Sequence, residues 1–220
     1  GLKASRIEAF ANALAAEVAG EGLASSGYGW TKEQSGFLSA LAKDLKANAG
    51  KSVVIPGEQQ SVGVHLAAIA INEKLGNVGK TVIYTDTVNP MPSNQTADLK
   101  ALVADLNAGK VDWLVILNAN PVYTSPADLD FETAMNKAKV TVHLGSHGLL
   151  ANETADVAQW HLNSAHYLES WSDARAYDGT VSIVQPMIEP LYGGHTAHDV
   201  VQSMLDDPNT SAYFAVREMW

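Results

Sequence analysis

Residues 111–131 read VDWLVILNANPVYTSPADLDF, and this stretch decides the fold that the sequence predicts. An apolar run from Trp113 to Leu117 shows no alternation, which indicates a strand buried on both faces. The run stops at Asn118 and is followed by a polar loop with two prolines. In open α/β sheets, ligands bind outside the carboxyl ends of the strands. The loop after Leu117 is therefore where a ligand would be sought.

Strand and helix patterns alternate on both sides of this stretch. Strands are predicted near 52–55, 81–85, 112–117 and 139–144, and the helical patterns between them cover about 57–75, 96–109 and 129–138. Four strands alternating with three helices predict an α/β fold, a doubly wound, mainly parallel sheet with helices on both faces. We assign residues 51–220 to this Rossmann-like domain.

Residues 1–50 carry two helical patterns instead. Ile7, Phe10, Leu14 and Val18 recur at helical spacing in the first pattern. Thr31, followed three residues later by Gln34, fits a capping box that opens a second helix to about Asn48. These residues are expected to form an N-terminal helical segment packed on the sheet domain.

The pattern loosens after Gly145. AQWHLNS (158–164) and TVSIVQP (180–186) are strand-like, and HTAHDVVQSML (195–205) is helical. Between them, HYLESWSDARAYDG (166–179) has no periodicity and predicts a loop. Its charged residues fit a solvated ion-pair loop. Its aromatic residues and Arg175 favour a docking surface, since these types are enriched at interfaces.

Composition excludes several classes of function. The net charge of -10 and the scattered 14 basic residues argue against nucleic-acid binding, which needs clustered Lys and Arg. The absence of cysteine excludes disulfides and a cysteine-held zinc or iron–sulfur cluster in these 220 residues. No stretch reaches the roughly 18 apolar residues of a membrane span, so no direct span is predicted.

The motifs that carry chemistry are sparse. PGEQQ (56–60) offers one glycine where a dinucleotide fingerprint needs three. Asp86 stands where an acid would meet a ribose hydroxyl, and a surface turn explains it equally well. Asn118 and Asn120 fit either local caps or amides that read a base edge.

The histidines and serines predict neither a metal site nor a hydrolase. His143 and His147 are four residues apart but straddle a strand end, and none of the seven histidines reproduces a zinc spacing. Satisfied or exposed histidines are expected. The nucleophile elbow G-x-S-x-G of hydrolases does not occur.

Three stretches together resemble one family: LGNVGKTVIYTD (75–86), LVILNANPVYTSPADLDF (114–131) and ANETADVAQWHLNSAHYLESWSDARAYDGTVSIVQPMIEPLYGG (151–194). They are similar to the molybdopterin oxidoreductase superfamily. More narrowly, they resemble the large iron–sulfur subunit of bacterial alternative complex III, a quinol-oxidising respiratory assembly. The resemblance covers roughly residues 51–205, with its blocks in family order.

The resemblance implies where a nucleotide would bind. In the catalytic members, a domain of this kind embraces one guanosine end of molybdopterin guanine dinucleotide. Carried over, the cofactor-binding residues are Asn118, Asn120, Pro121, Thr124, Glu153 and Thr154. The long loop after Leu117 is then explained as inherited from a nucleotide-binding ancestor.

Two departures set the expected function. The alternative complex III subunits are understood to lack the molybdenum cofactor, and their iron–sulfur clusters lie in a separate part that this chain does not include. No molybdenum-ligating residue is recognised here, so we expect a fragment of a larger chain with no cofactor and no catalysis of its own. The alternatives are a guanine dinucleotide-binding domain of an active molybdenum enzyme, and a free-standing dinucleotide binder, which the missing glycines disfavour.

The resemblance also implies partners and location. The partners would be other domains of the same chain and the subunits of a membrane-bound respiratory complex, and not nucleic acid. The expected location is the periplasmic side of a bacterial inner membrane.

Overall fold

The computed structural model describes residues 2–22, 27–89, 91–146, 151–205 and 211–220. The chain divides into two compact units, Gly1–Thr85 and Asp86–Trp220. The division at residue 50 that the sequence suggests stays a prediction.

The first unit is helical. It contains a 3-10 turn, Ala4–Arg6, followed by α1 (Ile7–Ala19), α2 (Lys32–Ala47) and α3 (Val62–Lys74). Helix α1 packs against both α2 and α3. The buried side chains that hold the three together are Ala13, Leu14, Val18, Leu38, Ala42, Leu45, Ile71 and Leu75.

The capping box predicted at Thr31 is confirmed. Thr31 Oγ1 accepts from the Gln34 amide at 3.2 Å, and Gln34 Oε1 accepts from the Thr31 amide at 3.2 Å. Each residue thus satisfies a backbone donor of the other at the start of α2.

The strands predicted at 52–55 and 81–85 are wrong. Neither segment joins a ladder, and Val82 makes only an isolated bridge to Val78. The physical reason is visible at Val54, whose backbone is satisfied by a side chain: its amide donates to Asn72 Oδ1 at 3.0 Å, and its carbonyl accepts from Asn72 Nδ2 at 2.8 Å. The apolar run indicates an extended backbone, but a strand also needs a neighbouring strand.

The second unit is the α/β part of the chain. Its elements, in chain order, are α4 (Gln95–Asn107), β1 (Trp113–Leu117), α5 (Pro121–Thr124), α6 (Phe131–Met135), β2 (Val140–Gly145), α7 (Glu153–Val157), β3 (Trp160–Asn163), β4 (Ser172–Arg175), β5 (Val181–Val184), α8 (Ala197–Gln202) and α9 (Ala212–Met219). Strands β1, β2 and β3 form a parallel sheet in that order. The predicted α/β class with a parallel sheet is confirmed. The sheet has three strands, and a doubly wound arrangement is not shown.

Helices α4 and α6 cover one face of this sheet. Leu114 and Ile116 of β1 pack there with Leu106, Phe131 and Met135 in one buried cluster. Because side chains alternate along a strand, Trp113 and Val115 point to the opposite face. There they line an apolar cavity with Val142, Leu162 and Val200. The sequence of β1 is continuously apolar because the strand places apolar side chains on both faces of the sheet.

The loop predicted at 166–179 contains a strand. Residues Ser172–Arg175 form β4, which pairs antiparallel with β5 in the register Ser172↔Val184. The sequence pattern misses β4 because its four residues are mostly polar, so they show no hydrophobic alternation. No helix in the described ranges is long and apolar enough to cross a membrane.

Candidate functional site

The three parallel strands end at the same edge, and the candidate site lies there. Asn118 begins the loop after β1 with a left-handed backbone, φ 52. Asparagine is one of the few residues that adopt this region readily. The Asn118 amide still donates to the Leu144 carbonyl of β2 at 2.8 Å. The chain therefore leaves the sheet directly after this last bond.

Asn120 ties this loop to the start of α7. Its Nδ2 donates to Glu153 Oε2 at 2.7 Å, and its Oδ1 accepts from Thr154 Oγ1 at 2.8 Å and from the Thr154 amide at 3.3 Å. Thr154 is fully buried, and its Oγ1 also accepts from the Val122 amide at 3.1 Å. We call this set, Asn120, Glu153, Thr154 and the Val122 amide, the Asn120 clasp.

The other residues of the predicted set shape the loop itself. Pro121 is the first residue of α5, where its missing N–H costs no helical bond. Thr124 Oγ1 donates to the Asn120 carbonyl at 2.9 Å and closes that short turn. The structure therefore brings Asn120, Glu153 and Thr154 together, with Pro121 and Thr124 as part of the adjoining backbone turn.

Electrostatics strengthen the clasp. The hydrogen bond from Asn120 is the main cause that lowers the pKa of the exposed Glu153 carboxyl below its usual value, followed by a backbone bond at Glu153 itself. A donated hydrogen bond favours the charged form. Glu153 is therefore a carboxylate at neutral pH and a good acceptor for Asn120.

Two histidines lie beneath the same edge, on neighbouring strands. His143 of β2 and His161 of β3 are register partners, and their Nδ1 atoms are 3.0 Å apart. His143 Nε2 contacts the Ala119 carbonyl at 3.0 Å, and His161 Nε2 contacts the Ser146 carbonyl at 3.0 Å. The expectation of a satisfied histidine is confirmed at His143. The pairing was missed because it requires the strand register, which spacing along the chain does not give.

A cavity of about 490 Å³ opens at this edge. Its polar lining includes Asn118, Ser146, Ser164, His166, Tyr167 and Glu169. A second cavity of about 220 Å³ shares Asn118, Ser164 and Tyr167. Of the six residues predicted to bind a cofactor, Asn118 is the one that lines these cavities, and the other five lie at the Asn120 clasp or in its turn.

The carried-over residues do not fit a guanine base at Asn120. Its Oδ1 already accepts twice and its Nδ2 already donates once, so one N–H remains for a ligand. Asn118 has an exposed side chain beside a polar cavity and does fit a polar ligand. The described part of the chain holds no group of three or more His, Cys, Asp or Glu residues able to bind a metal. His147 lies outside that part.

Comparison of the sequence with protein-family models and with curated proteins finds no match.

Proposed function

We propose that this chain is a domain of a molybdopterin-oxidoreductase-like subunit of a respiratory quinol-oxidising complex, with a structural and interaction role. Its partners would be other domains of the same chain and the subunits of the membrane-bound complex, on the periplasmic side of a bacterial inner membrane. The doubly wound sheet of that family is part of this proposal. The support is the resemblance over residues 51–205, together with the Asn120 clasp.

The single observation that carries the structural role is the use of Asn120. In a nucleotide-binding domain, an amide at a strand end must have free donors and acceptors to read a base edge. Here the amide bonds two residues of α7, and one of them is the buried Thr154. The loop after β1 is thus fixed to α7 through Asn120, which suits a structural role better than the binding and release of a nucleotide.

Purification from native membranes tests whether the protein belongs to a quinol-oxidising complex. The full-length protein would carry an affinity tag on its own gene and be isolated from detergent-solubilised membranes of its own cells. We expect quinol oxidation, measured with a soluble quinol and a dye acceptor, to copurify in fixed ratio with the tagged protein. Quinol oxidation that stays in the unbound fraction while the tagged protein is recovered intact would contradict the proposal.

A nucleotide-binding domain of an active molybdenum enzyme is the second candidate. The observation that favours it is the cavity of about 490 Å³ lined by Asn118, Ser146 and Ser164 at the carboxyl edge. Such polar cavities at strand ends are where α/β proteins bind nucleotides. If this cavity binds a guanosine group, the base would contact Asn118 rather than Asn120.

Calorimetry with GMP separates the two candidates. The structural role predicts no heat of binding. The second candidate predicts weak binding in the millimolar range, at roughly 4 kcal/mol. That binding should be lost in Asn118→Ala and kept in Asn89→Ala, a control asparagine outside the cavity.

A further inference from the structure

The contacts of His143 and His161 require more protons than two neutral imidazoles carry. A carbonyl oxygen only accepts, so Nε2 of each ring must hold a proton to bond Ala119 or Ser146. The two Nδ1 atoms, 3.0 Å apart, need one more proton between them. Three protons are needed, and two neutral rings hold two. With only two, one of the three close contacts becomes a repulsion between lone pairs.

We infer that His143 and His161 form a proton-binding site, in which one extra proton is shared between their Nδ1 atoms and the pair carries a single positive charge. The pair then joins the loop after β1, through Ala119, to the loop after β2, through Ser146. The ligand of this site is the proton itself. When this proton is lost, two protons remain for three contacts. We take the bond between the rings to be kept, so one ring gives up its carbonyl and releases the backbone at Ala119 or at Ser146.

Packing favours this arrangement. His143 is fully buried, and the two rings lie at a centroid distance of 5.1 Å with an interplanar angle of 26°. Gly145 leaves room for the ring, because a Cβ at that position would collide with His143 Cε1. Buried charge is tolerated when it is fully hydrogen-bonded, and here each ring nitrogen has a partner.

Burial opposes charge on His143 for the shared proton and for a second one alike. The second proton is the less favourable, because both Nδ1 atoms would then carry protons that face each other. Burial is the main cause that lowers the pKa of His143; the Ala119 bond opposes this, and the charge of His161 adds to it. Two imidazolium rings in contact would repel each other, so the pair holds one extra proton and not two.

Three of the charged side chains near the sheet are paired with other groups, Asp105 with Lys110 among them. Glu153 of α7 bonds Asn120, and Lys139 pairs with Asp112 at the opposite end of the strands at 2.7 Å. Further titratable side chains on the elements packed around the sheet are Asp98, Lys100 and Asp105 of α4, Glu132 of α6, Asp156 of α7, and His198 and Asp199 of α8. Within the described part of the chain, no carboxylate hydrogen-bonds either imidazole.

Nitrogen-15 NMR of the histidine-labelled full chain tests the inference between pH 5 and 9. We expect a pH range in which the two rings together hold three nitrogen-bound protons, with a scalar coupling between the two Nδ1 nuclei across the hydrogen bond. The shared proton would be overturned if each ring held one nitrogen-bound proton, without that coupling, at every pH at which the rings are not both fully protonated.

Amide hydrogen exchange provides the functional readout. Once the shared proton is lost at high pH, exchange in the 118–120 or 145–146 backbone should accelerate beyond the intrinsic, hydroxide-catalysed rise of amide exchange, because one loop loses its donor. His161→Phe keeps an aromatic ring but removes the shared proton, so this pH-dependent acceleration should vanish. His195→Gln, a control histidine in the same unit, should retain it. Equal pH dependence in His161→Phe and the parent protein would refute the proton-binding site even if both fold normally.

Discussion

At the scale of single residues, the carboxyl edge of the sheet is held by side chains that bond each other. Asn120 connects the loop after β1 to Glu153 and Thr154, and His143 lies beneath that loop in contact with Ala119. Polar groups in such positions are costly when unpaired and stabilising when paired. Removing one partner should therefore give local and measurable effects.

Asn120→Ala should destabilise the second unit and change the ionisation of Glu153. The variant removes three hydrogen bonds and leaves the buried Thr154 hydroxyl without its acceptor, so we expect a loss of about 1–3 kcal/mol. The pKa of Glu153 should rise toward its ordinary value, because its largest stabilising bond is gone. Carboxyl carbon-13 NMR measures the pKa, and urea unfolding measures the stability.

Asn152→Ala is the matched control for this change. Asn152 caps α7 by accepting from the Ala155 amide at 3.1 Å, so its loss costs about 1 kcal/mol while the bond from Asn120 to Glu153 stays. A rise of the Glu153 pKa in Asn152→Ala equal to that in Asn120→Ala would show that the clasp is not its cause.

Acid should weaken the second unit through His143. Burial lowers the pKa of His143 in the folded chain, whereas the unfolded residue titrates at about 6.5. The folded pair holds one shared proton and resists a second one at buried His143, whereas the unfolded residue takes up its proton freely as pH falls below that value, so stability decreases. Urea unfolding of the second unit between pH 7 and 5 should show this decrease, and His195→Gln should show it too. Stability that increases on acidification over this window would be incompatible with a lowered pKa at His143.

At the scale of secondary-structure elements, one buried asparagine replaces a strand neighbour in the first unit. Asn72 of α3 bonds both backbone groups of Val54, and its Oδ1 also accepts from Asn77 Nδ2 at 3.0 Å. Asn77 Oδ1 in turn accepts from the Gly50 amide at 3.0 Å. The extended segment near Val54 is thereby fixed to a helix instead of a sheet.

Asn72→Ala should release that segment. The half-buried Val54 amide and carbonyl lose their partner, which costs up to roughly 1–3 kcal/mol for each group that water does not reach. Amide hydrogen exchange at Val54 should therefore accelerate strongly. Asn48→Ala is the control, since Asn48 makes exposed side-chain bonds to Asp44 in the same unit and should leave Val54 unchanged. Unaltered exchange at Val54 in Asn72→Ala would mean that other contacts hold the segment.

At the scale of the whole molecule, the predictions that rested on local chemistry succeed most often. The capping box at Thr31 and the strands at 113–117 and 140–145 of a parallel sheet could be predicted, because caps and buried apolar runs follow local rules. The absence of a strand at 52–55 could not be predicted, because an apolar run does not show which groups its backbone will hydrogen-bond; here the Val54 backbone bonds the Asn72 side chain. The histidine pair depends on register and was missed for the same reason.

Chemical analysis of the native protein tests the central proposal, a structural domain without a bound nucleotide cofactor, most directly. The full-length protein would be purified from its own cells, its molybdenum measured by mass spectrometry, and the guanine nucleotide released by acid measured by chromatography. The account predicts molybdenum and GMP far below one equivalent per chain, in a preparation that still oxidises quinol with its partner subunits. One equivalent of molybdenum together with GMP, in the same preparation, would contradict it and establish the chain as part of a molybdenum enzyme.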